Sequence, residues 1–151
     1  MQPRTIVRAA IAAGLVAGAV DIGAAMLINQ RGPAIILQSI ASGVLGLSAY
    51  AGGGATVVLG LVLHLAMAII IAGIFAAASV RIKWLGARPV TAGLAYGVGV
   101  FVVMNMIVVP LSAFAPRPTH ISLVSIAANL AAMLVFGVIV AMLVRRLSRP
   151  S

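Results

Sequence analysis

The sequence predicts an all-α integral membrane protein: a bundle of four transmembrane helices with both termini cytoplasmic, and an outward-facing interfacial or re-entrant helix between spans one and two. Three observations carry this expectation. Of 151 residues, 64% are hydrophobic and 7% charged, with a mean hydropathy of +1.26, whereas a soluble domain carries about 25% charged residues to wet its surface. Four continuous stretches are long enough to cross a hydrocarbon core, which takes about 20 helical residues. They lack the period-two alternation of barrel strands, and a segment that must satisfy its own backbone in lipid is then a helix. The length suits a single domain, residues 1–151.

Span one covers about 6–28 and ends at the turn signal "NQRGP". Arg4 and Arg8 before an apolar run resemble a signal peptide, but residues 9–28 exceed a usual signal core, so a retained span is expected. Span two runs over about 55–80, between "AGGG" and the basic "RIKWLGARP". Span three covers about 90–111, where Pro110 disturbs its outer end before "APRPTH"; span four covers about 121–144 and stops at "RRLSRP". Tyr50 and Trp84 sit where interfacial anchors are expected.

Residues 33–50, "PAIILQSIASGVLGLSAY", are borderline for a fifth span, and charge arbitrates. Cytoplasmic loops carry the excess of Lys and Arg. Four spans with the N-terminus inside place Arg4, Arg8, Arg81, Lys83, Arg88, Arg145, Arg146 and Arg149 inside, and only Arg31 and Arg117 outside. A fifth span would move Arg81, Lys83, Arg88 and the three C-terminal arginines outside, reversing the bias. The segment is therefore expected to stay on the outer side. Pro33 suits a first helical turn, and "GGG" at 52–54 supplies a hinge. Gln38, Ser39 and Ser42 fall near one face as a possible gate or lid. A helix lying flat fits this pattern, with a re-entrant half-helix lining a cavity as the alternative.

A faint internal repeat joins the two halves. "AGLVAG" at 13–18 matches "AGLAYG" at 92–97, and "HLA" at 64–66 stands opposite "NLA" at 129–131. Two hairpins of the same orientation, related by an axis along the membrane normal, would produce this.

The single acidic residue, Asp21, lies inside the apolar run "AVDIGA". Eight residues from the outer end of span one, it is roughly 12 Å deep at 1.5 Å per residue. His64, Asn105 and Asn129 fall at similar depth in the other spans, so each span contributes one strongly polar side chain to a common layer. An ionisable group at that depth costs several kcal/mol unless paired or hydrated and should face the bundle interior. Small residues agree: Gly14, Ala17, Gly18 and Ala25 share a face with Asp21, and Gly60, Ala68 and Ala72 share one with His64. These four polar residues are the candidate ligand- or proton-binding set, with Asp21 and His64 as a charge-assisted pair. The alternative is interhelical glue, worth about 0.6 kcal/mol per contact. Asp21 favours a site, because Asn would make similar hydrogen bonds without the charge penalty.

Other chemistries are disfavoured. The net charge of +9 flanks apolar spans rather than lining one soluble face, which argues against nucleic acid and for anionic lipid at the cytoplasmic side. With no cysteine there is no disulfide, thiolate metal site or cysteine nucleophile. A lone carboxylate excludes paired-carboxylate catalysis, and no enzyme is expected. One His and one Asp are thin for a metal, since zinc takes three or four ligands. No cofactor is expected; haem or quinone near His64 is a weaker alternative, and haem would need a second axial ligand from another subunit. His120 lies at the outer interface, and the seven methionines read as packing. A four-span chain is small to enclose a pathway alone, so a parallel homo-oligomer or a place in a larger membrane complex is expected.

"LQSIASGVLG" at 37–46 and "MNMIVVPLSAF" at 104–114 resemble stretches of a group of small four-span bacterial inner-membrane proteins of unknown function. That resemblance implies the topology and a bacterial inner-membrane location, and no mechanism. Asp21 also looks similar to the essential first-span carboxylate of small multidrug transporters. Those carry Glu, are shorter, and in dual-topology members lack this charge bias.

Overall fold

The computed structural model describes residues 3–114 and 122–148. Arg117, Pro118, His120 and Arg149 lie outside the described residues. Among the described residues every element is helical: α1 (Pro3–Asn29), α2 (Pro33–Leu45) with a 3₁₀ turn over Gly46–Ala51, α3 (Gly53–Arg81), α4 (Lys83–Ala87), α5 (Pro89–Val103), a π turn over Met104–Val108, α6 (Val109–Leu111) and α7 (Leu123–Leu147). The long helices begin and end within about three residues of the expected spans. This is a multi-pass membrane protein in which five helical stretches are long and apolar enough to cross, Pro33–Ala51 included.

Local chemistry sets the boundaries. Pro33 and Pro89 open α2 and α5 in the first turn, where no N–H is needed. The Ser122 side chain caps α7 by accepting from the Ser125 N–H. Helix α1 ends with Gln30 in the left-handed region at φ 50°, and Arg31 N–H reaches back to Met26 O at 3.3 Å. The π turn precedes Pro110, which has no N–H to donate; Val109 N–H bonds five residues back to Met104 O.

Helices α1 and α3 run antiparallel in close contact. Gly73 faces Ala10, Gly14 faces Ile69, and Gly18 faces Leu65 and Ala68. A Cβ at Gly14 would lie 2.5 Å from Ile69 Cα, so the two backbones touch. The second hairpin repeats the device, with Gly93 against Val138, Gly97 against Leu134 and Met133 O, and Gly137 against Gly93 O. Lipid gives helices no hydrophobic reason to associate, so close approach at small residues holds such bundles together. Helix α1 also packs on α7, with Ala9, Ala13, Ala17, Phe75, Phe136 and Val140 in the core they share.

The antiparallel pairing of α1 with α3 constrains the segment between them. Helix α2 leaves from and returns to the same end of the bundle, because α1 finishes where α3 begins. Its 13 residues span about 20 Å at 1.5 Å per residue, and the 3₁₀ turn over Gly46–Ala51 continues it toward α3. It stops at Gly46, whose φ of 61° breaks the helix. It crosses α3 at Gly60, which abuts the Leu37 backbone, and touches the end of the third long helix through Ala113 N–H to Gly43 O at 2.9 Å. Gly60 therefore faces α2 rather than the helix that carries Asp21, a correction to its expected place beside His64.

Alternation of direction gathers Arg4, Arg8, Arg81, Lys83, Arg88, Arg145 and Arg146 at one end of the bundle, with Arg31 at the other. Tyr50 and Trp84 are exposed at opposite ends.

Gly97→Val drives a branched side chain into the Met133 backbone and is expected to destabilise the protein by about 1–3 kcal/mol, as overpacking does. Gly23→Ala, with nothing within 4 Å of the new Cβ, should leave stability unchanged or slightly raised. Heat unfolding in detergent followed by circular dichroism checks both; equal tolerance would contradict the glycine seam.

Candidate functional site

Gly18 brings the polar pair together. Without a side chain there, α3 approaches until His64 Nε2 lies 2.9 Å from Gly18 O. A carbonyl only accepts, so Nε2 carries the proton in this arrangement. Asp21, one turn further along α1, places Oδ2 3.8 Å from the same nitrogen. Both side chains are mostly covered, at 18% exposure for Asp21 and 14% for His64. With Nε2 committed to Gly18, the ring atom left to take or release a proton is Nδ1. The pair can therefore hold a proton at Nδ1 or on the carboxylate.

A small, partly enclosed cavity of about 70 Å³ lies against this pair. It exists because α3 and α5 are held together by side chains rather than a glycine seam. Tyr96 Oη donates to Ile71 O at 2.6 Å, and its ring meets Phe75 edge-on at 5.0 Å between centroids. Beyond that contact the helices leave the space lined by Asp21, His64, Met67, Ile71, Met104 and Met133, with Ala68, Val100 and Phe136 completing it. A drug-sized ligand takes roughly 300–1,000 Å³. This cavity suits an ion with a few waters; a porphyrin or quinone ring would need the seam to open.

The structure joins Asp21 and His64 and leaves the other expected residues apart. Asn105 is exposed, its amide donating to Phe101 O of its own helix at 2.8 Å. It follows Met104 in sequence and so points about a quarter-turn away from the cavity. Asn129 is also exposed and donates to Ser125 O at 2.8 Å. The reason is register. If the hairpins matched, Gly97 would face Leu130 as Gly18 faces Leu65; it faces Leu134, one helical turn on. The slip moves Asn129 about 6 Å toward the far end and sets Met133 where His64 stands in the first hairpin.

The proposed lid residues also stand clear of the cavity. Gln38 Nε2 makes long contacts of 3.4 Å to Gly53 O and Thr56 Oγ1, tying α2 to the start of α3. Ser42 is buried and donates to Ser39 O at 2.6 Å, while Ser39 is half-buried.

Sequence reasoning passed over Tyr96 and the three methionines. Tyr96 was legible, since a mid-span hydroxyl must find a partner. Met67 shares a helix face with His64 at i, i+3. Nothing in the sequence linked Met104 or Met133 to that face, because their convergence depends on how the hairpins dock.

Fold and site together define a multi-pass helical membrane protein with one carboxylate–imidazole pair at a small intramembrane cavity. Comparison with known proteins finds no matching family model, no matching curated protein and no matching solved structure.

Tyr96→Phe keeps the ring contact and removes the bond to Ile71 O. It is expected to cost about 1 kcal/mol in detergent unfolding, with the α1–α3 hairpin intact; an unchanged midpoint would show that the hydroxyl does not close the seam.

Proposed function

We propose that this protein is a small transporter or channel-like protein of a bacterial inner membrane, with Asp21 and His64 as its proton or cation site. One observation carries the proposal: the chain's only carboxylate side chain is set beside an imidazole at a cavity between helices. Keeping a carboxylate at that depth is costly, and the neighbouring Gly18 carbonyl needs only the His64 N–H. A purely structural role leaves the charge of Asp21 unused. Nδ1 and the carboxylate instead offer two stations for a proton, or a negative partner for a cation, without catalysis of a chemical reaction.

Four crossings with cytoplasmic termini accompany this function. The antiparallel α1–α3 contact and the gathering of seven cations at one end support that topology. The basic end then meets anionic lipid headgroups. Helix α2 serves as an outer cover braced against α3 rather than a fifth span.

The exposed amides favour a second reading, an accessory subunit of a larger membrane complex. Asn105 and Asn129 lie in apolar helices and bond only within their own helix among the described residues. Such groups form interhelical hydrogen bonds when a partner helix is present. A parallel homo-oligomer of the transporter provides the same partner.

In proteoliposomes under an imposed pH gradient, Asp21→Asn is expected to lower proton or cation flux at least tenfold with an unchanged unfolding midpoint. Full flux in that variant would sink the transport reading. Absence of native cysteine makes topology directly readable: single cysteines at Gln30 and Ser48 should label from the same side, and one at Ala87 from the opposite side. Labelling of Gln30 and Ser48 from opposite faces would make α2 a full span.

A further inference from the structure

We propose that the cavity binds one soft monovalent metal ion, Cu(I) or its redox-inert analogue Ag(I), through the thioethers of Met67, Met104 and Met133 and the imidazole of His64. This rests on the reading of the cavity as a cation site and names the cation. Three of the chain's seven methionines, from three different stretches of the bundle, converge on this one small space. Beside them, among the described residues, its polar side chains are His64 and Asp21.

That donor set selects by softness. Thioether sulfur favours Cu(I), whereas Ca²⁺ and Mg²⁺ require many oxygens. Zinc requires three or four ligands from Cys, His and carboxylates, and among the described residues no group of three or more His, Cys, Asp or Glu comes together. Charge selects as well. One carboxylate beside His64 balances one positive charge, while a dication would leave an uncompensated charge in an apolar setting. The size agrees, because about 70 Å³ holds an ion with a few waters and excludes a bulky cofactor.

The imidazole already holds the tautomer that coordination through Nδ1 needs. A metal-binding His ordinarily donates its second ring N–H to a carboxylate or backbone carbonyl, which fixes the tautomer. His64 makes that bond through Nε2 to Gly18 O, leaving the Nδ1 lone pair as the metal ligand. The ion and a proton then compete for Nδ1, so metal entry releases a proton when Nδ1 is protonated. No oxidation or reduction is involved.

The test uses the full chain in lipid nanodiscs, with Cu(I) held reduced by ascorbate against a competing colorimetric Cu(I) chelator, and with Ag(I) in parallel. The expected result is one ion per chain, Cu–S scattering in X-ray absorption, and no comparable retention of Zn²⁺. The near-isosteric double variant Met104→Leu with Met133→Leu should weaken binding at least tenfold. Met106→Leu, at an exposed methionine outside the cavity, should leave it unchanged. Failure to retain Cu(I), equal retention by the double variant, or a bound ion without sulfur ligands would overturn the assignment. Asp21-dependent proton flux without copper binding overturns the metal alone; loss of both overturns the cation-site reading as well.

Discussion

Backbone contact at glycine is the constraint on which the rest of this molecule depends. In water a four-helix bundle is held by withdrawing apolar side chains from solvent, but lipid offers no such gain. Here Gly14 and Gly18 seat α1 on α3, Gly93, Gly97 and Gly137 seat α5 on α7, and Gly60 seats α2 on α3. Each close approach adds dispersion contacts between backbones, and those of α1 with α3 and of α5 with α7 fix antiparallel registers that larger residues would forbid. Many large apolar side chains remain exposed on the outside, including Leu27, Val58, Ile70, Ile74 and Met106. That is where a lipid-facing surface puts them.

The site follows from the same packing. Gly18 belongs to the seam and also presents the carbonyl that orients His64, so the residue that permits close approach sets the tautomer of the ionisable ring. Where a glycine seam is missing, between α3 and α5, the Tyr96 hydroxyl and the Phe75 ring bridge the helices instead. Side chains hold them further apart than glycines would, and the remaining volume is the cavity.

The two hairpins show how a small shift divides their roles. Both carry the small-residue pattern, yet the second pairs one turn out of step with the first. The first brings an imidazole to a carboxylate, and the second brings a thioether to the same region and carries its amide outward. Asn129 then lies one turn beyond the cavity, and Asn105, next to Met104, points away from it; both reach the surface, where another helix could meet them.

Composition and charge placement alone determined the multi-pass helical class and the positions of the long helices to within about three residues, and they put Asp21 and His64 at one depth. These are local or nearly local properties: hydropathy over about 20 residues, turn chemistry at Pro and Gly, and the cost of an ionisable group that leaves it few places to go. Only the tertiary structure decided that α2 crosses α3 at Gly60, that Asn105 and Asn129 stand apart from the pair, and that Met67, Met104 and Met133 meet beside it. Depth along a helix is readable from residue counts, since each residue adds 1.5 Å. Azimuth and register between helices are not, because they are chosen by which glycines interlock, and a slip of four residues preserves every helix while exchanging the side chains that face one another.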